Sequence, residues 1–223
     1  MQRKALEKQK LIEQERVRIA MDLHDDIGGN LTALNLMTSL LGGMDLPDFS
    51  RQMVVKIGEA SDRMVQDMNE IVWALNISND TLMSLVSYIR QYMSNTLTAA
   101  GMLFQMDEPV DYPDIHMSGK TRRNIFMIIK EATNNAIKYS GSPRVDLKIA
   151  IDGSLVITLK DHGKGIPDES TSETIAGGGN GINNMRKRAE DLGASISFIN
   201  EKGLTVILSV PLQVFSETTN KVI

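Results

Sequence analysis

The 223-residue chain contains no cysteine. That excludes disulfide frameworks, thiolate zinc sites, iron–sulfur clusters and cysteine nucleophiles, and leaves three histidines as the imidazoles open to metal or catalysis. Aromatic residues are scarce at 4%, so the 14 methionines read as flexible helix packing and not as a cofactor site. Positive charge is in deficit: 24 Lys and Arg against 28 Asp and Glu leave a net charge of −4, with no basic field for wrapping nucleic acid. No apolar run reaches the roughly 18 residues of a membrane span, and the opening MQRKALEKQK lacks the apolar middle of a signal peptide. Nothing here is expected to cross a bilayer, and the missing thiols suit a reducing cytoplasm. What remains, 42% apolar and 23% charged residues, is ordinary for a folded protein of two modest domains.

Residues 1 to 41 hold no proline, and Ala20, Leu23, Ile27, Leu31, Leu34 and Leu41 recur at helical spacing. LGGMDLPDFS then turns the chain, and Ile57, Ala60, Met64, Met68, Ile71 and Leu75 form a second, nearly heptad stripe. Two helices cannot enclose a core, so the stripe is expected to meet its own copy in a four-helix bundle, making the protein a homodimer. After Asn79 the pattern changes. A shorter helix, a strand at MLFQM, a two-proline loop and a helix from about Thr121 to Tyr139 lead into VDLKIAI and SLVITLKD. These two alternate around Asp152-Gly153, a strong hairpin signal. A glycine-rich stretch, a short helix and a second hairpin follow. The spacing predicts an all-α hairpin over 1–78 and an α/β sandwich over 79–223.

Within the helix that begins near Thr121, Glu131, Asn135 and Lys138 fall within about 60° of one another at 100° per residue. An amide oxygen, a carboxylate and an ammonium on one line could hold Mg²⁺ and meet phosphate, and they equally suit a solvated ion-pair face. In LKDHGKGIP, Asp161 leaves a strand beside Gly163 and Gly165, where a carboxylate could accept an adenine amino proton. AGGGNGINNM sets Gly179 and Gly181 just before a helix, where free N–H groups favour phosphate. Ser118-Gly119-Lys120-Thr121 imitates the end of a P-loop, but the first glycine of that motif would fall at Asp114, so a capped helix start is the better reading.

The other concentration of chemistry is ERVRIAMDLHDDIGGN. On a helical wheel Leu23, Ile27, Leu34 and Leu41 centre about 85° from His24, which leaves the imidazole on the shoulder of the apolar stripe. Such a residue often only packs. Here Asp25 follows it directly, able to fix the tautomer and take a proton from a nucleophilic ring. Gly28-Gly29 interrupts the helix at about 1 kcal/mol per glycine, which implies close approach or bending.

Taken in order, NNAIKY with Glu131, DHGKG and GGGNGI resemble the N, G1 and G2 boxes of the ATP-binding fold shared by gyrase, Hsp90, mismatch-repair ATPases and histidine kinases, over roughly Asp80 to Leu212. The resemblance implies Asn135 as Mg²⁺ ligand, Glu131 as its supporting carboxylate, Lys138 on phosphate and Asp161 on adenine. Gly163, Gly165, Gly179 and Gly181 would shape pocket and lid, with Thr205 near the adenine. His162 stands where Asn is common. ER-x-RIA-x-DLHDD-x-G, with IVWALN, resembles the phosphoacceptor motif of sensor histidine kinases of the nitrate-sensor and desaturase-regulator type. It implies ATP-dependent autophosphorylation of His24 with Asp25 beside it, then transfer to an aspartate of a response regulator, in the cytoplasmic part of a membrane-anchored sensor. Gly29 occupies the place of the subfamily's phosphatase glutamine, which puts that activity in question. The rivals are an ATPase or serine kinase of the same fold, and a non-catalytic scaffold.

Overall fold

The computed structural model describes residues 15, 18–19, 27–76, 79–165 and 180–215. The chain divides into two compact units, Met1–Asn79 and Asp80–Ile223. In the first, helix α1 (residues 27–42) and helix α2 (Asp48–Leu75) are joined by a short turn, with Asp48 in the first turn of α2 where the helix dipole favours an acid. Their contact is made by small and polar groups. Ser61 Oγ donates to Leu31 O at 3.2 Å, Asn35 Nδ2 donates to Asp62 Oδ1 at 2.6 Å, and Gly58 closes on Thr38. Gly28 lies against Met68, where a Cβ would stand 3.1 Å from the thioether methyl, so close approach accounts for the first glycine of the pair. The apolar row on α2 splits: Met68 is buried, whereas Ile57 and Met64 are exposed, as are Leu36, Met37 and Leu40 of α1.

The second unit begins with helix α3 (Leu82–Ala99), capped by Thr81, whose hydroxyl accepts the Ser84 N–H at 3.2 Å. Leu82, Leu85, Val86, Ile89, Met93 and Leu97, three and four apart, form its buried face. Strand β1 (Leu103–Asp107) and helix α4 (Gly119–Asn135) follow. Ser118 caps α4 by accepting the Thr121 N–H at 3.1 Å, so the P-loop look-alike is a helix cap. Arg122, buried in the first turn of α4, pairs with Asp80 and donates to Met117 O at 3.3 Å, fastening the first residues of the unit to α4.

The helix expected to run evenly to Tyr139 does not. It ends as α-helix at Asn135 and continues as a π turn, Ala136–Ser140, closed by Gly141 at φ 64°. A π turn advances each residue by a smaller angle than an α-helix, which carries Lys138 away from the line of Glu131 and Asn135. Next come β2 (Arg144–Ile151), β3 (Ser154–Asp161), helix α5 (Asn180–Asp191), β4 (Ser195–Asn200) and β5 (Leu204–Pro211). The sheet order is β1-β2-β3-β5-β4, with β1 and β2 parallel and the other neighbours antiparallel. Gly153, at φ 63°, turns the β2–β3 hairpin. Val145, Leu147, Ile149, Leu155, Ile157, Leu159, Val206, Leu208 and Val210 are buried on one face, with Ile125, Phe126, Ile129, Met185 and Ala189 of α4 and α5. Each such side chain contributes about 1.5–3 kcal/mol. The expected architecture, a helical hairpin followed by an α/β sandwich, is the observed one.

Candidate functional site

Alternation along β3 directs Leu155, Ile157, Leu159 and finally Asp161 into the buried face, so one period-2 pattern ends in a carboxylate that is 3% exposed. Both its oxygens are oriented by backbone. Gly163 N–H donates to Oδ1 at 2.9 Å and Leu204 N–H donates to Oδ2 at 3.2 Å. A carboxylate has about four acceptor positions, so each oxygen keeps one for a ligand donor. Gly203, at φ 110°, lets the β4–β5 turn reach this group, since a Cβ there would fall on Asp161 O.

The residues after Asp161 are equally close-packed. A Cβ on Gly163 would collide with the Ser140 carbonyl, which instead accepts the Lys164 N–H at 3.0 Å. Gly165, at φ 69°, lies against Asn200. His162 N–H donates to Ser142 Oγ at 3.0 Å, and its ring Nε2 stands 2.7 Å from Asp146 Oδ2. Arg144 hydrogen bonds hold the Asp146 carboxyl below the usual carboxylate range; burial opposes them, and the His162 contact adds to them.

On α4, Glu131 and Asn135 are half-buried one turn apart, and Lys138 is exposed on the π turn. Gly181, in the first turn of α5, abuts the Glu131 carboxylate, the end of the helix whose dipole favours an anion. The structure thus brings Glu131 to Gly181 at the start of α5 and, in a second group at the end of β3, Asp161 to Gly163 and Gly203. Thr205 pairs with Lys160 in the register and shares its face, the one opposite Asp161. The neighbouring Leu204 N–H is what reaches the carboxylate. His24, Asp25 and Gly179 lie outside the described residues.

Among the described residues no group of three or more His, Cys, Asp or Glu side chains is placed to hold a metal. The amide of Asn135 and the carboxylate of Glu131 are hard oxygen donors, too few for a protein cage. They fit an ion such as Mg²⁺ that takes its other ligands from phosphate and water. Ser140, Ser142, Asp146 and Gly203 were not singled out from sequence. The glycine after the Glu201-Lys202 turn was a signal for Gly203, whereas the other three become partners only through the β2–β3 register.

The second unit is thus a sheet covered by helices on one face, with a buried aspartate and closely packed glycines at the end of a central strand. Residues 120–214 match the family of histidine kinase-, DNA gyrase B- and HSP90-like ATPases, which implies ATP binding, and residues 15–80 match a histidine kinase family. The chain belongs to the histidine kinases. Sensor histidine kinase LiaS of Bacillus subtilis is 24% identical over 94% of this chain and 57% of its own length. The nitrate/nitrite sensor protein NarQ of Escherichia coli is 24% identical over 91% of this chain and 35% of its own. This chain therefore spans about a third to somewhat over half of these relatives. The histidine kinase domain of the Erythrobacter litoralis EL346 blue-light activated kinase shares the fold, with a TM-score of 0.57 and 16% identity over 85% of this chain and 99% of that one.

Proposed function

We propose that this chain is the kinase core of a two-component sensor, with a phosphoacceptor and dimerisation hairpin over 1–78 and an ATP-binding domain over 79–223. ATP phosphorylates His24, and the phosphoryl group passes to an aspartate of a response regulator. The observation that carries the reading is Asp161, a buried carboxylate whose two oxygens are aligned by backbone N–H groups at the edge of a glycine loop. Asp161 accepts the adenine amino group, and the backbone at Gly163, Gly165 and Gly181 stays bare enough for the nucleotide to approach.

Asn135 would be the protein ligand of Mg²⁺, with Glu131 orienting that site, and the ion would supply neutralisation of phosphate charge. Lys138 contacts phosphate from the π turn. A neutral His24 nitrogen attacks the γ-phosphorus, the bond to the ADP oxygen breaks, and the imidazole proton goes to Asp25. Phosphoryl transfer asks the protein mainly for position and charge compensation. The exposed apolar side chains of the hairpin, including Leu36, Met37, Leu40 and Met64, support a homodimeric bundle. Among the described residues no helix is long and apolar enough to cross a membrane; the reading places this core in the cytoplasm, as part of a membrane-anchored sensor.

Incubation with γ-labelled ATP tests the reading: base-stable, acid-labile label on the protein supports it, and label on serine or phosphate release alone refutes it. Asn135→Ala should lower labelling about a hundredfold. The same variant should bind ATP equally with Mg²⁺ and with a chelator, as calorimetric titration would show, whereas the parent binds better with the ion.

A further inference from the structure

The segment after β3 is anchored by more than its own turn. Beside the bonds from His162 N–H to Ser142 Oγ and from Lys164 N–H to Ser140 O, the His162 ring reaches across the sheet to Asp146 Oδ2. Asp146 is itself held by Arg144, with Nε 2.6 Å from Oδ1 and Nη2 2.9 Å from Oδ2. Val145 and Leu147 face the helices, so Arg144 and Asp146 occupy the opposite face, together with Lys160 across the register. Successive residues thus do different work. Asp161 points into the buried face, and His162 pins the same backbone from the other side.

We propose that His162 is a positioning residue for the nucleotide site, its ring bonded to Asp146 so that residues 162–165 stay in place around Asp161. The proposal rests on Asp161 being the adenine contact. Asp146 and Arg144 on β2 lie beside the ring, and Lys160 on β3 faces Asp146 in the register. Arg144 holds the Asp146 carboxyl below the usual carboxylate range, so it stays an acceptor for the ring N–H. A hydrogen bond to a charged acceptor is about twice as strong as a neutral one, and it raises the fraction of molecules whose loop is in the binding conformation.

The test is calorimetric titration of the whole chain with ATP. His162→Ala should weaken binding about threefold to tenfold. Asp146→Ala should do the same, and the double variant should be no worse than either single one, since both remove one bond. His162→Gln keeps an N–H donor for Asp146, so it should recover most of the affinity that His162→Ala loses. Melting curves for each variant separate loop placement from unfolding. Equal affinities for wild type and His162→Ala, or additive losses in the double variant, overturn the proposal. A wild-type chain that binds no ATP refutes the functional reading itself, and the proposal with it.

Discussion

His24→Gln is expected to abolish protein phosphorylation, by about a thousandfold or more, while leaving ATP affinity at the wild-type level. Glutamine keeps the length and polarity of the side chain but has no ring nitrogen able to form a phosphorus–nitrogen bond. The two readouts divide along the two units of the chain, since the residues proposed to bind nucleotide lie wholly within Asp80–Ile223. The measurement pairs labelling from γ-labelled ATP with a binding titration on the same preparation. Label retained at the parental level in a folded variant would exclude His24 as the acceptor. Loss of label together with loss of ATP affinity would point to a structural defect instead.

Asp161→Ala should be the most damaging change in the second unit. It removes the carboxylate proposed to read adenine, a charged hydrogen-bond partner whose loss corresponds to about a tenfold to hundredfold rise in Kd for ATP. It also strands the N–H groups of Gly163 and Leu204, which donate to the two oxygens at 2.9 and 3.2 Å. The two donors are part-buried, so each stranded one costs at most about 1–3 kcal/mol, and the melting temperature should fall as well. Asp161→Asn distinguishes the contributions: its oxygen can still accept one N–H, but its amino group turns a donor toward the other. It should recover part of the stability and little of the affinity. Undiminished ATP binding by a folded Asp161→Ala protein would remove this residue from the site.

Much of the second unit was legible because its signals are local. Ser118 caps a helix through one N–H three residues on, and Asp152-Gly153 turns a hairpin between two alternating strands. The π turn was not legible. Ile125, Ile129, Ala132 and Ala136 are all buried at helical spacing, so the apolar pattern continues smoothly across the place where the hydrogen-bond pattern changes. The link from His162 to Asp146 was hidden for another reason. The two are 16 residues apart, and only the register of β2 against β3 makes them neighbours. Thr205 shows the same dependence. Being one residue past Leu204 puts it on the wrong face, a parity that a motif match cannot see. In the hairpin, helical periodicity found the apolar positions but could not say which ones the paired helix covers. Gly58 and Ser61 meet α1, whereas Ile57 and Met64 are exposed.

Close to Asp161, glycines stand at 163, 165 and 203, where a Cβ would meet Ser140, the Asn200 side chain and the Asp161 carbonyl. With Asp161 as the proposed adenine contact, discrimination between purines falls to a single acceptor-only group. Guanine presents a carbonyl oxygen where adenine presents its amine, and two acceptors facing each other have no proton to share. GTP should be turned away without any residue having to block it.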